Sequence, residues 1–168
     1  MSAIDVLWLP EELEIGPPRG RATIVVDVIR ATTSIATAFA AGAERVIPVR
    51  TVEEARAEAV RDGGAIVCAG RRGRVSMDDA WCAGHLVERL VQTVAEAELT
   101  DGARAAQALS ARLGPPTATG LAGTAAGRAL QAIGRSGDLA VCAGLDDLEV
   151  VPVWRDGALV GSRGGEDA

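Results

Sequence analysis

Asp27, Arg30, Thr32, Thr33 and Ser34 fall within eight consecutive residues, and together they carry the groups that a phosphate site needs. A carboxylate can hold a divalent cation through oxygen. A guanidinium can grip a phosphate through paired N–H groups. Hydroxyls and the free backbone N–H groups of a first helical turn add neutral donors around a dianion. Such a set suits phosphoryl chemistry, in which positioning and charge neutralisation supply most of the rate. The spacing alone allows a plainer arrangement equally well, with Thr32 an ordinary N-cap and Asp27 the ion-pair partner of Arg30.

Further candidates lie downstream. Asp78 and Asp79 fall in the first turn of an expected helix, where acids are favoured by the dipole whether or not they bind metal. Arg71, Arg72 and Arg74 just before them suit an acidic substrate or a solvated charge cluster. Asp146 and Asp147 read as second-site carboxylates or as turn residues. His85, the single histidine, has no serine or cysteine at a recognisable nucleophile spacing, so a helix-surface or half-buried role is expected.

The elements that must position these residues follow from hydrophobic period and turn chemistry. Ile4–Leu9 reads as a short strand at a sheet edge, stopped by Pro10, and Glu11–Arg21 as a loop. Thr23–Val28 is apolar without alternation, the pattern of a strand covered on both faces. It leads into a helix capped by Thr32 and ended by Gly42. Arg45–Val49 is expected as a strand, Val52–Arg61 as a helix capped by Thr51, and Ala65–Ala69 as another buried strand. Ser76-Met-Asp-Asp79 resembles a capping box and opens a helix to about Ala97. Thr100 begins the next, broken by Gly114-Pro115-Pro116. Thr119–Arg135 is expected as one glycine-weakened helix and Leu139–Ala143 as a strand. Val150–Arg155 and Ala158–Val160 read as a hairpin closed by Asp156-Gly157. The β-α-β-α order predicts an α/β domain over 1–160 with a largely parallel or mixed sheet, followed by a disordered tail over 161–168.

Composition narrows the function. A net charge of −6 and a pI near 4.8, with no long basic run, argue against nucleic acid as a partner. All 17 basic residues are arginine, and Lys, Asn and Tyr are absent. This excludes a Schiff-base lysine, the lysine of a Walker loop and a tyrosine acid. Cys68, Cys82 and Cys142 make no C-x-x-C pair and read as buried thiols. No apolar run reaches membrane-spanning length and no leader pattern opens the chain, so a cytoplasmic protein without a membrane partner is expected.

Three stretches carry a family resemblance. Val26-Asp-Val-Ile-Arg-Ala-Thr-Thr-Ser34, followed by Gly42-Ala-Glu-Arg-Val-Ile-Pro-Val49 and Val52-Glu-Glu-Ala55, is similar to the start of the 2-phosphosulfolactate phosphatase family. Cys68-Ala-Gly-Arg-Arg-Gly-Arg-Val-Ser-Met-Asp-Asp-Ala-Trp-Cys-Ala-Gly84 resembles a later motif, and Val150-Val-Pro-Val-Trp-Arg-Asp-Gly157 the C-terminal end. The resemblance implies a three-layer α/β/α fold and magnesium-dependent hydrolysis of 2-phosphosulfolactate to sulfolactate. Carried over by position, Asp27, Arg30, Thr32 and Thr33 fall in the family's first motif and Asp78 and Asp79 at its acidic helix start; the roles expected are catalysis by Asp27 and Arg30, phosphate binding by Arg30, Thr32, Thr33 and Ser34, and Mg2+ held by Asp27, Asp78 and Asp79.

The chain departs from the family pattern between Arg61 and Ala65. Members carry there a Gly-Glu-Arg-Gly-Gly-like loop, a Phe-Asp-Leu-Gly-Asn-Ser-Pro-like segment and a Thr-Thr-Asn-Gly-Thr-like segment. Here Asp62-Gly63-Gly64 joins the flanks directly. The expected partner is a small phosphorylated or sulfonated acid, bound either by an active phosphatase or by a non-catalytic, internally deleted paralogue. A homodimer is a further expectation, with a second copy covering a sheet edge left incomplete by the deletion.

Overall fold

The computed structural model describes residues 3–15, 22–42, 64–93, 97–145, 147–148, 150–155 and 158–163. The strands β1 (Ala3–Leu7), β2 (Ala22–Val26), β3 (Gly64–Cys68) and β4 (Glu98–Leu99) form one sheet in the order β2-β3-β1-β4. Every pairing in it is parallel, so the α/β expectation holds. β3 is the second of the buried strands read from the sequence, and Ile66, Val67 and Cys68 are all buried, as a strand covered on both faces requires. β1 lies between β3 and β4 rather than at an edge. Pro10 falls beyond the end of β1, so its missing N–H withdraws nothing from the ladder. Within the expected loop 11–21, Glu12–Ile15 forms a one-turn helix, α1. Glu12 Oε1 accepts from the N–H groups of Trp8 and Leu9, each at 3.1 Å, which ties the turn to the end of β1.

Helix α2 (Ala31–Ala40) follows β2, and the chain turns away from it at Gly42, whose φ of +96° suits only glycine. Helices α3 (Met77–Thr93) and α4 (Asp101–Leu113) pack closely against each other. Gly84 permits that approach: a Cβ there would collide with the Ala106 carbonyl oxygen and stand 2.7 Å from Ser110 Cβ. The end of α4 is fastened to α3 by Trp81 Nε1, which donates to the Gly114 carbonyl at 2.8 Å. His85 Nε2 meets the same carbonyl at 3.1 Å, so the single histidine is a half-buried helix-packing residue, as expected. Thr100 caps α4 by accepting from Ala103 N–H at 3.3 Å, and its own hydroxyl donates to Asp5 on β1 at 2.6 Å.

Two expectations for the C-terminal half are corrected. The helix expected over 119–135 is two, α5 (Ala118–Ala122) and α6 (Ala125–Ala132). Thr117 and Thr124 each cap one, accepting from the N–H groups of Gly120 and Gly127 at 3.0 Å, and a second cap within the run ends the first helix. Leu139–Ala143 is not a strand: Asp138–Cys142 forms helix α7. Leu139 and Cys142 are buried whereas Val141 is exposed, a helical spacing that a five-residue apolar run does not reveal in advance.

β5 (Val150–Arg155) and β6 (Ala158–Arg163) pair antiparallel from Val150↔Arg163 to Arg155↔Ala158, the expected hairpin. β6 runs three residues into the stretch expected to be a tail. The core joins β1, β2 and β3 to α3 through α7, from Ile4, Val6 and Ile66 to Trp81, Val87, Leu121, Leu130 and Leu139. Among the described residues no helix is long and apolar enough to cross a membrane. The strand expected at 45–49, the helix at 52–61, the turn residues Asp62, Gly63, Asp156 and Gly157, Asp146, and residues 164–168 lie outside the described residues.

Candidate active site

The turn from β2 into α2 is closed by its own side chains. Helix α2 begins at Ala31, two residues before the start expected from a Thr32 cap, and Arg30 in the N-cap place makes no side-chain cap. Asp27 serves the helix start instead. Its Oδ1 accepts from Ala31 N–H at 3.3 Å, placing a carboxylate at the positive end of the helix. Thr32 Oγ1 donates to the Asp27 carbonyl at 2.6 Å while accepting from Asp27 N–H at 3.3 Å. Thr33 Oγ1 donates to the Val28 carbonyl at 2.8 Å. A hydroxyl has one proton, so both threonines use theirs on backbone carbonyls. Ser34 is exposed. The plainer expectation that Asp27 pairs with Arg30 is corrected as well, because Arg30 Nη1 donates to Asp138 Oδ2 at 2.5 Å.

Asp78 and Asp79 open α3 but do not form the expected capping box. Ser76 Oγ donates to Asp78 Oδ1 at 2.6 Å, and Asp79 reaches away from its own helix. Asp79 Oδ1 accepts from Val28 N–H at 3.1 Å and Oδ2 from Gly70 N–H at 3.0 Å. One buried carboxylate thus binds the loop after β2, the loop after β3 and the start of α3. Gly70 is required there: its φ is +66°, and a Cβ would lie 2.9 Å from Leu9 Cδ2. The next residues form a tight turn, with reciprocal backbone bonds of 2.8 and 3.1 Å between Arg71 and Arg74. Positive φ at Arg72 and Gly73 closes it.

These loops surround a cleft of about 300 Å³ at the carboxyl ends of β2 and β3, where parallel sheets place ligands. Asp27, Arg30, Arg71, Asp78 and Asp79 line it, and α6 supplies an apolar wall of Ala126, Ala129 and Leu130, continued by Ile133. Burial, reinforced by Asp78 and opposed by the Ala31 N–H, raises the Asp27 carboxyl above its ordinary value of 3.8. Asp79 is pushed up to about 7, by burial first. The Val28 and Gly70 amides oppose that rise, while Asp78 and Asp27 add to it. The three carboxylates therefore feel one another across the cleft. Two guanidinium groups face them, and Asp138 already neutralises one.

A cation would relieve that excess of acid. Among the described residues no three His, Cys, Asp or Glu side chains come close enough to make a ready cage. Mg2+ needs only one or two carboxylates, because it keeps several waters and accepts substrate phosphate oxygens. Asp27 and Asp78 each commit one oxygen to a described partner, and the second oxygen of each accepts from none of the described residues. Hard oxygen donors of this number fit Mg2+, whereas Asp79 has both oxygens on amides.

The sequence thus named five of the cleft's polar residues, and the structure brings Asp27, Arg30, Arg71, Asp78 and Asp79 together. Thr32, Thr33 and Ser34 stand outside the lining, as do Arg72, Arg74 and Asp147. Sequence reasoning did not find Asp138. It contacts Arg30 across 108 positions, and its neighbourhood read as a strand; its place in the first turn of a helix was the only available signal.

A family model described as 2-phosphosulpholactate phosphatase matches residues 9–64 and 58–157. The two matches meet in the region where the family's central segments are missing from this sequence. A "Probable 2-phosphosulfolactate phosphatase" of Carboxydothermus hydrogenoformans is 45% identical over 74 residues, covering 44% of this chain and 30% of that protein. The Thermus thermophilus protein of that name is 41% identical over 91 residues, covering 54% and 38%. The namesake from Symbiobacterium thermophilum is 25% identical over 220 residues, covering 84% of this chain and 94% of its own length. That alignment is longer than the 168-residue chain, so it crosses stretches of the relative with no counterpart here. The chain spans only about a third of the length of the first two relatives.

Proposed function

The chain belongs to the 2-phosphosulfolactate phosphatase family, and from that premise we propose that it is a magnesium-dependent phosphatase acting on a small phosphate monoester, with 2-phosphosulfolactate as the first substrate to try. The observation that carries this reading is the convergence of Asp27, Asp78, Asp79, Arg30 and Arg71 on one cleft. Asp27 and Asp78 would supply oxygens to Mg2+. The ion, when bound, provides positive charge for phosphoryl oxygens. Arg30 donates N–H groups to those oxygens, and Arg71 faces the acidic remainder of the ligand. Water attacks phosphorus and passes a proton to a carboxylate of the cleft while the ester P–O bond breaks; the departing oxygen takes up a proton, so that the alcohol and inorganic phosphate leave. Asp79 holds the two loops in place through Val28 and Gly70.

Release of inorganic phosphate from 2-phosphosulfolactate by the purified chain, measured with magnesium and with chelator, tests this reading. Metal-dependent release that falls in Asp27→Asn supports it. No release in either condition, with phosphate still bound, leaves the non-catalytic binding protein as the better description.

A further inference from the structure

Arg30 is held at both ends. Its carbonyl oxygen accepts from Ser34 N–H at 2.8 Å, which fixes the backbone at the start of α2. Its Nη1 donates to Asp138 Oδ2 at 2.5 Å, which fixes the tip. The helix that brings Asp138 is a firm support, because Leu139 and Cys142 lie in the core. α7 thus reaches the start of α2 through the contact of Asp138 with Arg30.

We propose that Asp138 is a positioning residue for anion binding, holding the Arg30 guanidinium at the cleft so that its remaining N–H groups meet the oxygens of a phosphate. A guanidinium carries five N–H donors in one plane, and the contact through Nη1 leaves the others available. An arginine tip left in solvent has to be ordered by the ligand, which weakens binding; Asp138 orders it beforehand. Asp138 itself does not line the cleft and acts only through Arg30. The inference rests on reading the cleft as a phosphate site, but it does not require turnover.

Calorimetric titration of the full chain with inorganic phosphate, with and without magnesium, tests it through a double-mutant cycle. Asp138→Ala should weaken phosphate binding about fivefold, as loss of one partly exposed ion pair allows. In an Arg30→Ala background the same substitution should cost nothing further. Asp138→Asn keeps the shape of the side chain and should still weaken binding, and Asp138→Glu should restore part of it. An equal loss in both backgrounds would show a merely structural role. Tighter binding by Asp138→Ala would show that Asp138 competes for Arg30, and absence of phosphate binding by the wild-type chain would also overturn the proposal. Absent turnover with the cycle intact sinks the phosphatase reading alone.

Discussion

Replacing Asp79 by Asn is expected to remove a pH-dependent instability from the cleft. Asp79 is 2% exposed, and its carboxyl is pushed up to about 7 from an ordinary 3.8. Between those two values the native state holds the Asp79 proton more firmly than the unfolded chain does. The stability this contributes is complete below about pH 4 and is lost as pH rises through about 7. At about 1.4 kcal/mol per pK unit, the loss between pH 5 and pH 8 is about 3 kcal/mol. Asn has no proton to release, and its one acceptor oxygen can keep only one of the bonds to Val28 and Gly70. A buried amide N–H left without a partner costs about 1–3 kcal/mol. Asp79→Asn should therefore be clearly less stable than wild type at pH 5, and the gap should close or invert at pH 8. Urea unfolding of both proteins at the two pH values, without added metal, measures this. An equal difference at pH 5 and pH 8 would refute the reasoning, because it would mean that the two amides keep Asp79 charged throughout.

Gly84→Ala should destabilise the fold by about 3 kcal/mol, because a methyl group there meets the Ala106 carbonyl across the α3–α4 contact; thermal melting reads the loss. Thr124→Ala removes the acceptor for Gly127 N–H and should cost about 1–2 kcal/mol, visible as a lower urea midpoint. Burial pushes the thiols of Cys68 and Cys82 up to about 12 and 11, and raises that of Cys142 as well. Iodoacetamide at pH 8 should leave all three unmodified in the folded protein and alkylate all three in urea, as counted by intact mass.

Much of the cleft was legible because its residues sit where local rules are strong. Asp27 and Arg30 mark the end of a non-alternating apolar run, and Asp78 and Asp79 mark a helix start, so the carboxyl ends of buried strands located them from the chain alone. What spacing does not fix is which partner each polar group takes. Thr32 and Thr33 have hydroxyls at a helix start, yet the turn geometry offers them the carbonyls of Asp27 and Val28. Asp79 fits a capping box in sequence, but two amides from other loops compete for it and win. α7 escaped notice because five apolar residues fit periods of 2 and 3.6 equally well. With it went Asp138, whose contact spans 108 positions. Pro10 suggests an edge position for β1, but it lies outside the strand.

On the proposed reading, the cleft performs metal-dependent phosphoryl chemistry although the family's central segments have no counterpart in this chain. Initial rates of phosphate release from 2-phosphosulfolactate, followed against magnesium concentration for wild type and Asp27→Asn, test it most directly. A saturable magnesium dependence is expected for wild type, with a rate about a hundredfold lower for Asp27→Asn, the lower end of what losing a group that stabilises transition-state charge costs. Equal rates for the two proteins, or a wild-type rate that chelator does not change, would contradict it.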